Sequence, residues 1–157
     1  MSDETVFTRG GRHSGREVAL QVLYAIDVGT VEADRDAADV EGTGVDAERV
    51  FEQVTEHFVV PRSAVVFARE LAVGVFDRVR ELDEILGAHA RNWRVSRMAV
   101  VDRNVLRLAV YELRDTDTPV AVVIDEAVDL ARRFGSDSSP AFVNGVLDAV
   151  ARELRAA

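Results

Sequence analysis

The sequence predicts an all-α protein of six to seven helices in two packed helical subdomains. Three observations carry this. Apolar residues recur at spacings of three and four through the long stretches of the chain, the period of a helix with one buried face. Glycine, proline and small polar residues interrupt that period at intervals suited to helices of ordinary length. The one β-branched run, Val120 to Ile124, belongs to a helical period that continues to Phe134 and lacks the alternation of a strand.

In chain order, Ser14 and Glu17 have the spacing of a capping box. There the serine side chain accepts the glutamate backbone N–H and the glutamate side chain accepts that of the serine, so a helix is predicted to start here. Val18, Ala19, Val22, Leu23 and Ile26 form its apolar stripe, and Gly29 ends it. Residues 30–44 are acidic and small with two glycines, and read as a loop. Asp46 is placed to cap a second helix, with Val45 and Val50 as a hydrophobic staple and Val50, Phe51, Val54 and Phe58 on its buried side. Pro61 stops it. Ser63 opens a long helix to about Leu86, striped by Phe67, Leu71, Val75, Leu82, Ile85 and Leu86. Gly74 within it suits close packing, and Gly87 ends it.

Around Asn92 and Trp93 the pattern is short and irregular, which sets the boundary between a first subdomain at about 12–87 and a second at about 88–157. Ser96 restarts the period. The next helix is apolar on more than one side, with Met98, Val101, Val105 and Leu108 on one row and Leu106, Val110 and Leu113 on another, and so is predicted to be central. Asp102 is a candidate bend, because aspartate favours caps over helix interiors. Pro119 starts a helix striped by Val120, Val123, Ile124, Ala127, Ala131 and Phe134 and closed by Gly135. Pro140 starts the last, with Val143, Val146, Leu147, Val150 and Leu154 inward and Gly145 placed for close helix packing.

A chain of 157 residues forms about one domain and buries roughly 70% of its unfolded surface, so it needs no metal or disulfide staple. It has no cysteine, which removes disulfides, thiolate zinc sites and cysteine nucleophiles and suits a reducing cytoplasm. No apolar run reaches the roughly 18 residues of a membrane span, and the N-terminal residues are too polar for a signal peptide. A soluble cytoplasmic protein is expected. The net charge of −9 argues against a nucleic-acid partner on average, but all nineteen basic residues are arginines. Their planar forks suit phosphate and stack on bases, so a local patch can work within an acidic whole.

No motif for catalysis emerges. His13, His57 and His89 lie far apart and outside any metal-ligand spacing. Asp125 and Glu126 are helical neighbours that point about 100° apart and form no facing carboxylate pair. There is no glycine-rich phosphate loop and no nucleophile elbow, and nothing calls for a cofactor. Binding features remain. Arg9, Arg12, His13 and Arg16 cluster at the start of the first helix, where positive charge opposes the macrodipole, so a bound anion would satisfy both the arginines and the free N–H groups. A plain basic tail is the other reading. Tyr24 falls almost opposite the buried stripe, where it either stacks on a base or packs on another helix beside Leu20.

The blocks "SGREVALQVLY", "VVDRNVLRLAVYEL", "TPVAVVIDEAVDLARRFG" and "FVNGVLDAV", in this order and near both ends of the chain, resemble the NusB family of bacterial transcription antitermination factors. The resemblance implies two packed bundles of three to four helices and no catalysis. It also implies binding of single-stranded boxA RNA from ribosomal RNA leaders jointly with the small-subunit ribosomal protein NusE. That assembly joins RNA polymerase, NusA and NusG and suppresses premature termination. By position, the resemblance assigns Arg9, Arg12 and Arg16 to RNA phosphates, Tyr24 to base stacking, and Arg133 and Phe134 to RNA. Asp102 is assigned to the ribosomal partner. It thereby turns Phe134 outward, whereas periodicity alone counts it in the buried stripe.

The chain departs from the family pattern in its thinner basic run "RGGRHSGRE", in "IDEA" where "INEA" is commoner, and in an acidic loop at 31–41. Two other readings follow. One is a helical protein-interaction module with weak or no RNA binding. The other is the NusB-like domain of enzymes that methylate cytosine in ribosomal RNA, which need a further methyl-donor domain that 157 residues do not accommodate.

Overall fold

The computed structural model describes residues 11–29, 46–56, 61–90 and 93–155. Among them are seven α-helices and no strand: α1 (Gly11–Asp27), α2 (Ala47–Thr55), α3 (Arg62–Asp77), α4 (Val79–His89), α5 (Val100–Asp115), α6 (Val120–Phe134) and α7 (Ser139–Leu154), with a 3-10 turn at Val95–Arg97 before α5. The expectations for Arg9, Val45, His57, Phe58, Asn92 and the loop at 30–44 fall outside the described residues. The chain divides into two compact units that meet at Phe76 and Asp77.

In the first unit, α1 buries Val18, Ala19, Val22 and Leu23 together with Leu20. Its start differs from the capping-box expectation. Helix is already present at Gly11, so Ser14 and Glu17 are interior and buried, and His13 Nε2 lies 2.9 Å from Glu17 Oε1. The glutamate reaches back one turn to a side chain instead of capping a helix end. At the other end Gly29 takes φ 73° and donates its N–H to the Ile26 carbonyl at 3.2 Å, a left-handed closure that glycine adopts without strain. Asp46 caps α2 as expected, its Oδ1 accepting the N–H groups of Glu48 at 3.1 Å and Arg49 at 3.4 Å. Val50 and Phe51 are buried beneath that cap.

The long helix expected over 63–86 is two helices. Arg78, at φ −120° and ψ 17°, breaks it. Leu82 and Leu86 then belong to α4, which packs on α5 and α7 in the second unit. The boundary between units therefore precedes α4, whereas the sequence pattern placed it after residue 87.

Within the second unit α5 is central, with Val105, Leu106, Leu108, Ala109, Val110 and Leu113 all buried, and α6 and α7 pack on it and on each other. Asp102 does not bend α5. It lies in the first turn, where a carboxylate complements the helix dipole. The 3-10 turn ahead of it is held by Arg103, which donates to the carbonyls of Val95 and Ser96, each at 3.3 Å. The loop from α5 to α6 is held by Arg155, which donates to the carbonyls of Leu113 at 2.7 Å, Thr118 at 2.9 Å and Thr116 at 3.0 Å. Gly145 does not serve close packing. It is exposed, and a Cβ there would meet no atom within 4 Å.

Candidate nucleic-acid interface

In the first unit the basic face of α1 is built on two glycines. A Cβ on Gly11 would fall 2.8 Å from Ser63 Oγ, and one on Gly15 would fall 2.7 Å from Phe67 Cδ2 and 3.2 Å from the Ala64 carbonyl oxygen. Only a residue without Cβ lets α1 approach α3 this closely. The approach brings the Phe67 ring under the arginines, with the Arg12 guanidinium carbon 4.7 Å from its centroid and that of Arg16 at 5.3 Å. An aromatic face holds a guanidinium in place while leaving its N–H edges available.

The two arginines differ in exposure. Arg12 is on the surface. Arg16, grouped with it as a phosphate ligand, is only 3% exposed. Its side chain lies along the protein, where the stem packs and the charge is drawn to the ring. Tyr24 is 42% exposed, so the face opposite the apolar stripe is open at that position. It lies about 18 Å along the helix axis from Arg12 at the usual 1.5 Å rise per residue.

In the second unit the corner between α6 and α7 carries another arginine on an aromatic ring. The buried side of α6 is filled by Val123, Ala127, Leu130 and Ala131. Phe134 falls at the last helical position, 40% exposed, and the Arg133 guanidinium carbon sits 5.3 Å from its ring centroid. Periodicity alone puts Phe134 inward, but at the last position of α6 the ring is exposed. Gly135 closes α6, its N–H donating to the Ala131 carbonyl at 2.9 Å. A Cβ on Gly135 would come within 2.7 Å of that same oxygen. Buried Ser139 fixes the next turn, its Oγ accepting the Ser136 N–H at 2.9 Å.

Asp102 opens onto a pocket of about 270 Å³ beside this corner, lined by Trp93, Met98, Ser136, Ser138 and Phe142. Trp93 and Phe142 meet edge to face with centroids 5.7 Å apart. Asp102 itself is 8% exposed, and its Oδ1 is buried without a hydrogen-bond partner. The sequence reading missed Phe67 as a platform for the arginines, and Trp93 and Phe142 as pocket walls. Phe67 and Phe142 carry no local signal beyond helical periodicity, and the irregular stretch around Trp93 reads in the sequence only as a boundary between subdomains. Arg107, on the same helix as Asp102, is occupied elsewhere by a two-pronged pair to Asp83 at 2.8 Å on both oxygens.

Among the described residues no three His, Asp or Glu side chains gather as a metal site, and no helix is long and apolar enough to cross a membrane. Each unit carries an arginine over an aromatic ring, Arg12 on Phe67 and Arg133 on Phe134.

The NusB family model matches residues 13–152. The chain is 48% identical over 143 residues to a transcription antitermination protein NusB of Anaeromyxobacter dehalogenans, covering 91% of this chain and 92% of that protein. It is similar in fold to a NusB structure from T. maritima, with 33% identity, a TM-score of 0.73 and coverage of 90% and 91%. It is also similar to a chain in a crystal structure of antitermination factors NusB and NusE in complex with dsRNA, with 27% identity, a TM-score of 0.74 and coverage of 91% and 97%.

Proposed function

Because the chain belongs to the NusB family, we propose that its arginine–aromatic surfaces hold boxA RNA of ribosomal RNA leaders. The protein is an RNA-binding transcription antitermination factor that works with the ribosomal protein NusE, and it is not an enzyme. It acts with NusA, NusG and RNA polymerase in the elongation complex, which places it in the cytoplasm. The observation that carries the site reading is the pair Arg133 and Phe134, an exposed guanidinium on an exposed ring at a helix end. A phosphate meets the guanidinium N–H edges while a base meets the ring.

Arg12 on Phe67 supplies a second phosphate contact and Tyr24 a second stacking surface, with Arg9 adding charge ahead of α1. Arg16 supports Arg12 through their shared ring and stays out of the contact itself. Asp102 faces NusE. Transcripts offer many competing RNAs, so specificity is the quantity to measure. Labelled boxA RNA and a scrambled RNA are titrated with the protein, with and without NusE. Preference for boxA and tighter binding with NusE are expected; equal binding of both RNAs, or no gain with NusE, overturns the reading.

A further inference from the structure

We infer that Trp93, Arg94 and Arg97 form a further contact for single-stranded RNA in the second unit, taking nucleotides beyond those held at Arg133 and Phe134. The inference rests on the reading that this unit binds RNA and adds where the strand goes next.

The first support is the ring. Trp93 is 56% exposed, more open than Tyr24 or Phe134. It is nevertheless braced: Phe142 meets it edge to face with centroids 5.7 Å apart, and its backbone N–H donates to the Ala90 carbonyl at 3.0 Å. A fixed ring with open surface is a platform on which a base of any identity can stack. The second support is charge. Arg94 and Arg97 flank the 3-10 turn, where the Arg97 N–H donates to the Arg94 carbonyl at 2.9 Å, and a turn of this kind brings positions three apart to the same side. Both arginines are exposed, and among the described residues neither makes an ion pair or a side-chain hydrogen bond. Arg107, Arg114 and Arg155 of the same unit are by contrast committed to carboxylates or carbonyls. On a chain of net charge −9, two open guanidinium groups beside an open ring have the make-up of a single-stranded nucleic-acid contact.

Position and rigidity agree with this. Trp93 lines one pocket with Ser136 and Ser138, and Ser136 follows Phe134 by two residues, so a strand that leaves Phe134 along this rim meets Trp93. Asp102 lines the same pocket but is only 8% exposed, so the open arginines set the charge that the strand meets. Arg103 holds the turn by donating to the Val95 and Ser96 carbonyls, which orders its backbone before anything binds.

The test compares boxA RNA alone with boxA carrying a few unstructured nucleotides on its 5′ or its 3′ side, in the absence of NusE. Trp93 is the only tryptophan of the chain, so its fluorescence in the wild-type protein reports stacking directly. Filter binding in a salt series is measured for the wild type, for the double variant Arg94→Ala with Arg97→Ala, and for Trp93→Leu, which keeps an apolar side chain against Phe142. Melting temperatures of both variants are checked against wild type. One of the two extensions should quench Trp93 and tighten binding about tenfold or more, the scale for one stacked base. It should also steepen the slope of log affinity against log salt by about 1.4, from two phosphate contacts at about 0.7 each. The double variant should lose the added slope and Trp93→Leu most of the added affinity, while both bind boxA alone as the wild type does. No gain from either extension, unchanged Trp93 emission, or a gain kept in full by both variants overturns the inference. Weakened NusE binding in the variants with every RNA affinity unchanged also overturns it and assigns the patch to the protein partner. If boxA and a scrambled RNA bind equally while the extension still quenches Trp93 and the variants still lose its gain, the boxA reading fails and the Trp93 contact stands.

Discussion

The guanidinium of Arg133 lies over the ring of Phe134, 5.3 Å from its centroid, and both side chains stand exposed at the end of α6. Arg12 repeats the relationship on Phe67 in the other unit, at 4.7 Å. An arginine held on an aromatic ring loses less freedom on binding than one in open solvent, which supports the proposal that the two pairs contact phosphate on an otherwise acidic protein.

Arg133→Ala should lower the steepness of the salt dependence of boxA binding. One phosphate contact to single-stranded RNA contributes about −0.7 to the slope of log affinity against log salt. A filter-binding series in salt should therefore show a slope shallower by under about one, with thermal stability unchanged because both side chains are exposed. An unchanged slope removes Arg133 from the phosphate contacts.

Arg12 and Arg16 should separate. With Arg16 buried, Arg9, Arg12 and Arg133 remain as phosphate contacts, which sets a total slope of about −2, against about −3 if all four arginines took part. Arg12→Ala should change that slope with little effect on melting. Arg16→Ala should lower stability, because it removes a buried, ring-stacked side chain. The reverse pattern would show that Arg16 leaves its buried position to reach RNA.

Tyr24→Ala should weaken RNA binding by about 1–3 kcal/mol, the range for one base stacked on an aromatic side chain. Since Tyr24 is 42% exposed, urea denaturation should show little change. A large loss of stability with RNA affinity retained would assign the ring to packing.

Two glycine substitutions should have opposite signs. Gly15→Ala forces a Cβ to within 2.7 Å of Phe67 and 3.2 Å of the Ala64 carbonyl oxygen. It should destabilise by about 1–3 kcal/mol through overpacking and displace the ring that carries Arg12. Gly145→Ala meets nothing and should stabilise by about 0.5–1 kcal/mol through helix propensity. Urea midpoints compared at equal m-values decide both.

The sequence by itself determined which segments are helical, where α2 is capped at Asp46 and where α1 closes at Gly29, because these depend on residues a few positions apart. Its blocks also pointed to the family. Charge and aromatic character near Arg12, Tyr24, Arg133 and Phe134 were likewise legible. Only the tertiary structure decided that α3 ends at Asp77, since Leu82 keeps the helical period with Val75 and no glycine or proline marks the break at Arg78. It decided that Ser14 and Glu17 lie inside a helix, that Arg16 is covered while Arg12 is open, and that Gly15 but not Gly145 meets a neighbour. It also decided that the Asp102 oxygen is buried without a donor beside Trp93 and Phe142. Each of these depends on atoms brought together from distant parts of the chain. Periodicity reports which side of a helix is apolar; what covers that side, and how closely, is set by the packing of the other helices.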